Sequence, residues 1–300
     1  MSSDTLLLDV AVPTQPQPAD RSPRTRLVRS PMLTVGVAIL GAVVLVAIFS
    51  PLLSPYDPRA ISGPPLQTPS AHHLLGTDVP GRDILSQLLY GTRASLIAAV
   101  LGGALAMFGA LLLGVLPVLF SPLADRVCNR IAVFLLAMPG IPLLILIGSL
   151  AGNNQLLLIV LIGFAGVAYN ARLLRSQALA LRDRGFISSA RGFGGGPLYV
   201  MRRHIVPAMG PLVVIGFVNW AANAVLIQAA LAFLGLGDPS GVSWGLMMNR
   251  ALGQQAIYLS PMWTWWVLPP GLAITVTLLG FTFVGVALEP AFNPRWHRSS

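Results

Sequence analysis

Residues 131–171 read IAVFLLAMPGIPLLILIGSLAGNNQLLLIVLIGFAGVAYNA, a run without Asp, Glu, Lys or Arg. One helix crosses a bilayer core with about 20 apolar residues, so this run is too long for a single pass and long enough for two. Turn-forming residues divide it: Gly148-Ser149-Leu150-Ala151-Gly152-Asn153-Asn154-Gln155 is rich in the types that leave helices. Two spans are expected, near 131–150 and 156–174. Four more windows free of Asp, Glu and Arg occupy 30–56, 94–124, 204–237 and 251–288. They predict spans near 33–53, 95–119, 208–234 and 266–288, six in all.

The composition agrees with an all-α integral membrane protein. Apolar residues make up 55% of the 300 and charged residues 10%, against about 25% charged in a soluble domain, and the mean hydropathy is +0.74. That excludes disordered, collagen-like and freely soluble classes. The single cysteine, Cys128, excludes an internal disulfide framework and a Cys-rich metal site. The chain has no Lys, so neither P-loop nor Schiff-base chemistry can reside in it. The net charge of +9 comes from arginines scattered among apolar spans. Lipid headgroups, not nucleic acid, are therefore the expected anionic partner.

The arginines also give the orientation. With both termini cytoplasmic, fifteen fall inside and only Arg59, Arg82, Arg93 and Arg250 outside, a clear positive-inside bias. Residues 1–29, rich in Pro, Gln, Ser and Arg, read as a disordered cytoplasmic tail. The first apolar run lacks an A-x-A-like cleavage site and reads as an uncleaved span. The resulting division is a tail at 1–29, a first span with an extracytoplasmic segment at 30–92, a five-helix core at 93–290 and a cytoplasmic tail at 291–300. A cytoplasmic loop at 172–207 interrupts the core. Trp263, Trp265 and Trp266 fall at the outer mouth of the last span, where amphipathic rings favour the headgroup layer.

Within that loop the fourth span is expected to continue as helix through Ala190. Gly192-Phe193-Gly194-Gly195-Gly196 then breaks it, because each glycine costs up to about 1 kcal/mol in a helix. Pro197 suits the first turn of a short helix ending near His204, and Pro207 opens the fifth span. A merely solvated loop has no need of Phe186, Ile187, Phe193, Leu198, Tyr199 and Val200, so this segment is a candidate for docking into another protein's groove. The fifth span carries Asn219, Asn223 and Gln228, read either as interhelical hydrogen-bonding groups or as the lining of a wet translocation path. No span has Asp, Glu or Arg at its middle, which disfavours energy coupling within the chain.

Other motifs read blandly. Gly241-Val242-Ser243-Trp244-Gly245 fits G-x-S-x-G, yet a nucleophile elbow needs a strand-to-helix turn with a His base. This motif follows a membrane helix. His72 and His73 lack the third ligand that a metal site requires, so no metal and no cofactor is expected.

Ser188-Ser189-Ala190, then Gly194, then Arg203-His204-Ile205-Val206-Pro207 resembles in spacing the EAA loop of ABC importer permeases. His73 to Asp83, with Leu85-Ser86, Gly91, Arg93 and Ser95-Leu96, is similar to the segment preceding the permease core in the C-type subunits of dipeptide, oligopeptide and nickel importers. So are Ala229 to Gly237 with Ser243-Trp244-Gly245, Pro270 to Ile274, and Asn293-Pro294-Arg295. The resemblance covers roughly residues 31–296. It departs from the family at Ser188, which replaces the acidic residue of the EAA element, at Ser189, at Val286 after Gly285, and at Glu289-Pro290.

The resemblance implies a type I importer permease fold and a non-catalytic subunit. It implies as partners a B-type permease subunit, two cytoplasmic ATPase subunits and an extracytoplasmic substrate-binding protein, with di- or oligopeptides as cargo. Ser188, Ser189, Ala190, Phe193, Gly194, Leu198, Tyr199 and Pro207 would form the ATPase-coupling loop. A nickel-chelate or other small-solute importer is the neighbouring reading. A channel, a scaffold or a Ser243-dependent membrane hydrolase are readings from other classes.

Overall fold

The computed structural model describes residues 30–150, 152 and 154–292. The tail at 1–29 and positions 293–300 of the tail at 291–300 lie outside the described residues. Helix α1, Pro31–Leu53, begins with proline in its first turn, where a missing N–H costs nothing. Helix α2, Ile84–Phe120, starts eleven residues before the expected span, and Asp83 caps it by accepting from the Ser86 N–H. Its 37 residues measure about 55 Å at 1.5 Å per residue, against a hydrocarbon core of about 30 Å. The sequence reading stopped short because Arg93 interrupts the charge-free run. Its guanidinium is satisfied by the carbonyls of Ala47 and Ile48 at 2.7 and 3.2 Å.

The third expected span is not a straight helix over 131–150. Helix α3, Pro122–Ala137, and helix α4, Gly140–Leu150, meet at 85°. Pro139 is the reason: it has no N–H to donate, and it holds Met138 in extended backbone at φ −76°, ψ 141°. Among the described residues five helices are long and apolar enough to cross a membrane, or six if this bent pair is one span. Ser121 caps α3, accepting from the Ala124 N–H, so 122–130, which lies between two of the expected spans, is helix.

Helix α5 spans Gln155–Arg182. The expected continuation to Ala190 is interrupted at Asp183-Arg184, before Gly185 opens α6, Gly185–Gly192. Helix α7, Pro197–Val200, runs on through a π turn at Met201–Ile205 to Ala208, four residues past the expected end. Helix α8 covers Gly210–Phe233, α9 Trp244–Leu252, α10 Ala256–Leu259 and α11 Trp263–Trp266, and α12, Leu268–Phe292, is the last span.

A second π turn lies in α2 at Leu111–Val115. Both π turns precede a proline by one residue, Pro117 and Pro207. Leu116 donates to the Leu111 carbonyl and Val206 to the Met201 carbonyl, each five residues back. The wider turn passes the chain around a position that cannot donate.

Helices α2 and α5 form the centre, with α8 across them and the α1–α12 pair beside them. Apolar transfer drives little between helices in lipid, so close approach of small residues carries the packing. A Cβ on Gly163 of α5 would lie 2.7 Å from the Leu105 Cβ, and one on Gly36 of α1 2.9 Å from Val284. Gly163→Leu is expected to lower stability by about 1–3 kcal/mol, read as a fall in the thermal midpoint of the detergent-purified protein. An unchanged midpoint would show that α2 and α5 are not held this closely.

Candidate functional site

The segment from α6 to Ala208 has two faces. Ile187, Val200 and Ile205 are fully buried against Val115, Val118 and Leu119 of α2 and Leu174 and Ala178 of α5. Facing away, Phe193 is 93% exposed, Leu198 61% and Tyr199 55%. Phe186 and Tyr199 converge on the His204 ring, with centroids 6.4 and 5.7 Å away. The tip is thus rooted in the bundle by one apolar set and displays another.

Local chemistry makes the tip. Helix α6 ends at Gly192, Phe193 N–H donates to the Ser189 carbonyl at 3.0 Å, and Gly195 N–H reaches back to Ala190 at 3.0 Å. Between them Gly194 sits at φ +82°, where a side chain is strained. Ser188 falls inside α6, Ser189 is exposed, Ala190 is half-buried, and Pro207 is exposed in the turn leading to α8. At its root the Asp125 carboxylate of α3 takes a two-pronged contact from Arg175 of α5, at 2.6 and 2.7 Å. Sequence reasoning missed this pair, because fifty residues separate its members.

The three polar residues of α8 do not share a face. Asn219 and Asn223 are exposed, and the Asn223 amide donates to the Asn219 carbonyl at 2.8 Å. Gln228 is 8% exposed and turned inward, its Oε1 3.5 Å from the Ser95 hydroxyl of α2. It lines a mostly apolar cavity of about 30 Å³, in which Gln155, Asp238 and Ser243 are the other polar side chains. A wider crevice of about 650 Å³ adjoins it through Gln155, Gly241 and Val242, and Arg59, Tyr90 and Arg93 line its other walls. Asn170 of α5, not singled out from sequence, is 2% exposed and donates to the Gly166 carbonyl at 2.9 Å.

Between α1 and α2 the chain folds on buried polar groups. Asp83 accepts from the Ser86 N–H and hydroxyl, both at 2.7 Å, and lies 3.0 Å from His73 Nδ1. The His73 ring also stacks on Tyr56 at 4.7 Å, whereas His72 is exposed. The two histidines point to different surroundings and make no shared ligand pair. Ser243, 6% exposed, caps α9 by accepting from the Leu246 N–H at 3.3 Å, so its hydroxyl serves a helix end and not a His base.

A second polar chain ties this segment to the loop after α8. Asp78 accepts from the Arg82 N–H at 2.7 Å and from the Gln87 amide at 3.0 Å. Gln87 in turn accepts from Arg250 at 3.4 Å, and Arg250 donates to the Pro239 and Gly241 carbonyls at 2.6 and 3.3 Å. Burial lowers the Arg250 pKa and nearby Arg82 adds to that, against the pull of Asp78 and Asp238. Hydrogen bonds from the Ser240 hydroxyl and backbone hold the Asp238 carboxyl below its usual range.

Comparison with known proteins bears on the same regions. The family described as binding-protein-dependent transport system inner membrane component matches residues 104–298, and the N-terminal TM domain of oligopeptide transport permease C matches 23–73. The dipeptide transport system permease protein DppC of Alkalihalophilus pseudofirmus is 33% identical over 94% of this chain and 95% of its own length. The glutathione transport system permease protein GsiD of Pectobacterium atrosepticum is 32% identical over 94% and 95%. With several helices long and apolar enough to cross a membrane, and a family match over more than half its length, the chain belongs to the binding-protein-dependent transport system inner membrane components, the multi-pass permease subunits of ABC importers.

Proposed function

We propose that this permease carries di- or oligopeptides inward, forming the path with a B-type permease subunit, while two cytoplasmic ATPase subunits supply the work and an extracytoplasmic binding protein delivers the cargo. The chain itself does no covalent chemistry. Its relatives are named for dipeptide and glutathione transport, which supports a peptide cargo.

The observation that carries the coupling role is the two-faced tip. Phe193, Leu198 and Tyr199 dock in a groove of the ATPase, with Ser188, Ser189, Ala190, Gly194 and Pro207 shaping the segment that presents them. Because Ile187, Val200 and Ile205 are rooted against α2 and α5, displacement of the tip by closing ATPases moves the bundle. Exposed Asn219 and Asn223 face the path between the permeases. Gln228 acts from within the bundle, beside the outer crevice.

This assignment needs the tip inside the cell, as the arginine distribution predicts. In a Cys128→Ser background, Ser189→Cys is expected to react with a membrane-impermeant maleimide only after the membrane is opened. Ala71→Cys and Leu259→Cys are expected to react in intact cells. Labelling of Ser189→Cys from outside would overturn the orientation and the coupling role with it.

A further inference from the structure

The crevice of about 650 Å³ lies between the end of α1, the first turns of α2 and the start of α5. A missing donor shapes one wall of it. Pro51 has no N–H to give the Ala47 carbonyl four residues back, so Arg93 Nε takes that carbonyl at 2.7 Å and Nη2 takes the next at 3.2 Å. The guanidinium is 5.5 Å from the centre of the Tyr90 ring. Asp57 and Arg59, both exposed, line the crevice too, and the Ser54 Oγ is buried there without a partner. Two cations, one carboxylate and an unused hydroxyl are therefore grouped at one opening.

A second cavity, of about 380 Å³, is walled by apolar residues alone, among them Leu105 and Phe108 of α2, Ile131 of α3, and Val160 and Phe164 of α5. The same two helices line both cavities. On α2, Ile97 belongs to the crevice and Leu105 and Phe108 to the apolar cavity, with Leu101 between them on the same face, and all four are exposed. On α5, Gln155 belongs to the crevice and Val160 to the apolar cavity. Arg93 ends the charge-free run of α2, which sets the crevice at headgroup level. Leu105 is twelve residues further along, about 18 Å at 1.5 Å per residue, close to the roughly 15 Å depth of one leaflet's chains.

We propose that the two cavities together hold one phospholipid of the phosphatidylethanolamine type. Its headgroup carries both charges that the crevice can answer: Arg59 and Arg93 take the phosphate and Asp57 the ammonium. Ser54 donates to an ester oxygen. One acyl chain runs along Ile97 and Leu101 into the apolar cavity, so the lipid ties the outer end of α1 to α2 and α5. A peptide dissolved in water has no use for the apolar half of this site, and a partner helix has none for the charged half. The site goes beyond the importer reading and takes from the assigned orientation only its place in the outer leaflet.

Native mass spectrometry of the purified full chain, titrated with phosphatidylethanolamine or phosphatidylglycerol of matched acyl chains, tests it. The wild type is expected to bind phosphatidylethanolamine more tightly. Arg59→Gln, an exposed change, should weaken that binding about tenfold, the loss of one charge-assisted pair. Asp57→Asn keeps an acceptor for the Arg59 N–H and should bring the two lipids to equal affinity. Val160→Trp, which fills the apolar cavity, should weaken both. Phosphatidylethanolamine affinity within twofold of wild type in Arg59→Gln and in Val160→Trp would overturn the site. Equal binding of the two lipids by the wild type would reduce it to a basic patch. Displacement of the lipid by a dipeptide would make the crevice a cargo site, and its loss on assembly with the partner permease would give the groove to that subunit. None of these readouts requires import, so they stand or fall apart from the transport reading.

Discussion

Phe193→Asp and Tyr199→Asp are each expected to abolish ATP-driven uptake while leaving membrane insertion intact. Both side chains stand out from the protein, at 93% and 55% exposure, so a carboxylate at either place meets water in the isolated chain and costs the fold little. In the docked state the same carboxylate would be enclosed in an apolar groove. An uncompensated buried charge of this kind costs roughly 3–5 kcal/mol, about a hundredfold or more in the docked population. Ser188→Ala is expected to do far less, since a neutral hydroxyl at a partly wet interface contributes about 0.5–1.5 kcal/mol. Uptake by reconstituted transporters matched for assembled permease is the readout. Wild-type rates for both aspartate variants would make the tip a bystander.

The second large effect is expected at Asp83. Its carboxylate, in a residue 1% exposed, caps α2, takes the Ser86 hydroxyl and lies against His73 Nδ1. Asp83→Ala removes the cap, worth about 1 kcal/mol, and strands a buried imidazole and hydroxyl together. Leaving such a buried donor unsatisfied adds about 1–3 kcal/mol. Asp83→Asn keeps an acceptor for the cap and is expected to retain much of the stability. Thermal unfolding in detergent should place the variants in the order wild type, Asn, Ala. An alanine variant as stable as wild type would show that the segment before α2 folds without this centre.

Legibility in the sequence followed the physics of each feature. Charge-free runs located the five long apolar helices among the described residues, and fell on the bent α3–α4 pair without its bend, because a bilayer core demands length and apolarity whatever the partners. The turn at 148–155 was readable from its glycines and asparagines, and Gly152 takes φ +64° there. The bend at Pro139 was also present in the sequence, but a hydropathy count does not notice a missing N–H within an apolar run. The early start of α2 was hidden because Arg93 reads as a boundary until α1 is in place to bond it.

Composition marked the tip as apolar but did not separate exposed Phe193, Leu198 and Tyr199 from Ile187 and Val200, offered for docking with them and in fact buried. The rooting through Ile187, Val200 and Ile205 was not legible, since it depends on α2 and α5 meeting them. The sequence grouped Asn219, Asn223 and Gln228 together and could not show that Gln228 turns to Ser95, 133 residues away. The chain from Asp78 through Gln87 to Arg250 escaped for the same reason. Each partner is ordinary in its own stretch, and only the fold brings them together.

The most direct test of the central claim is uptake of a labelled dipeptide into proteoliposomes holding this chain, its partner permease, both ATPases and the binding protein. The expected result is accumulation that requires ATP, requires the binding protein and vanishes when this chain is omitted. Accumulation that proceeds without ATP, or at the same rate without this chain, would contradict the account.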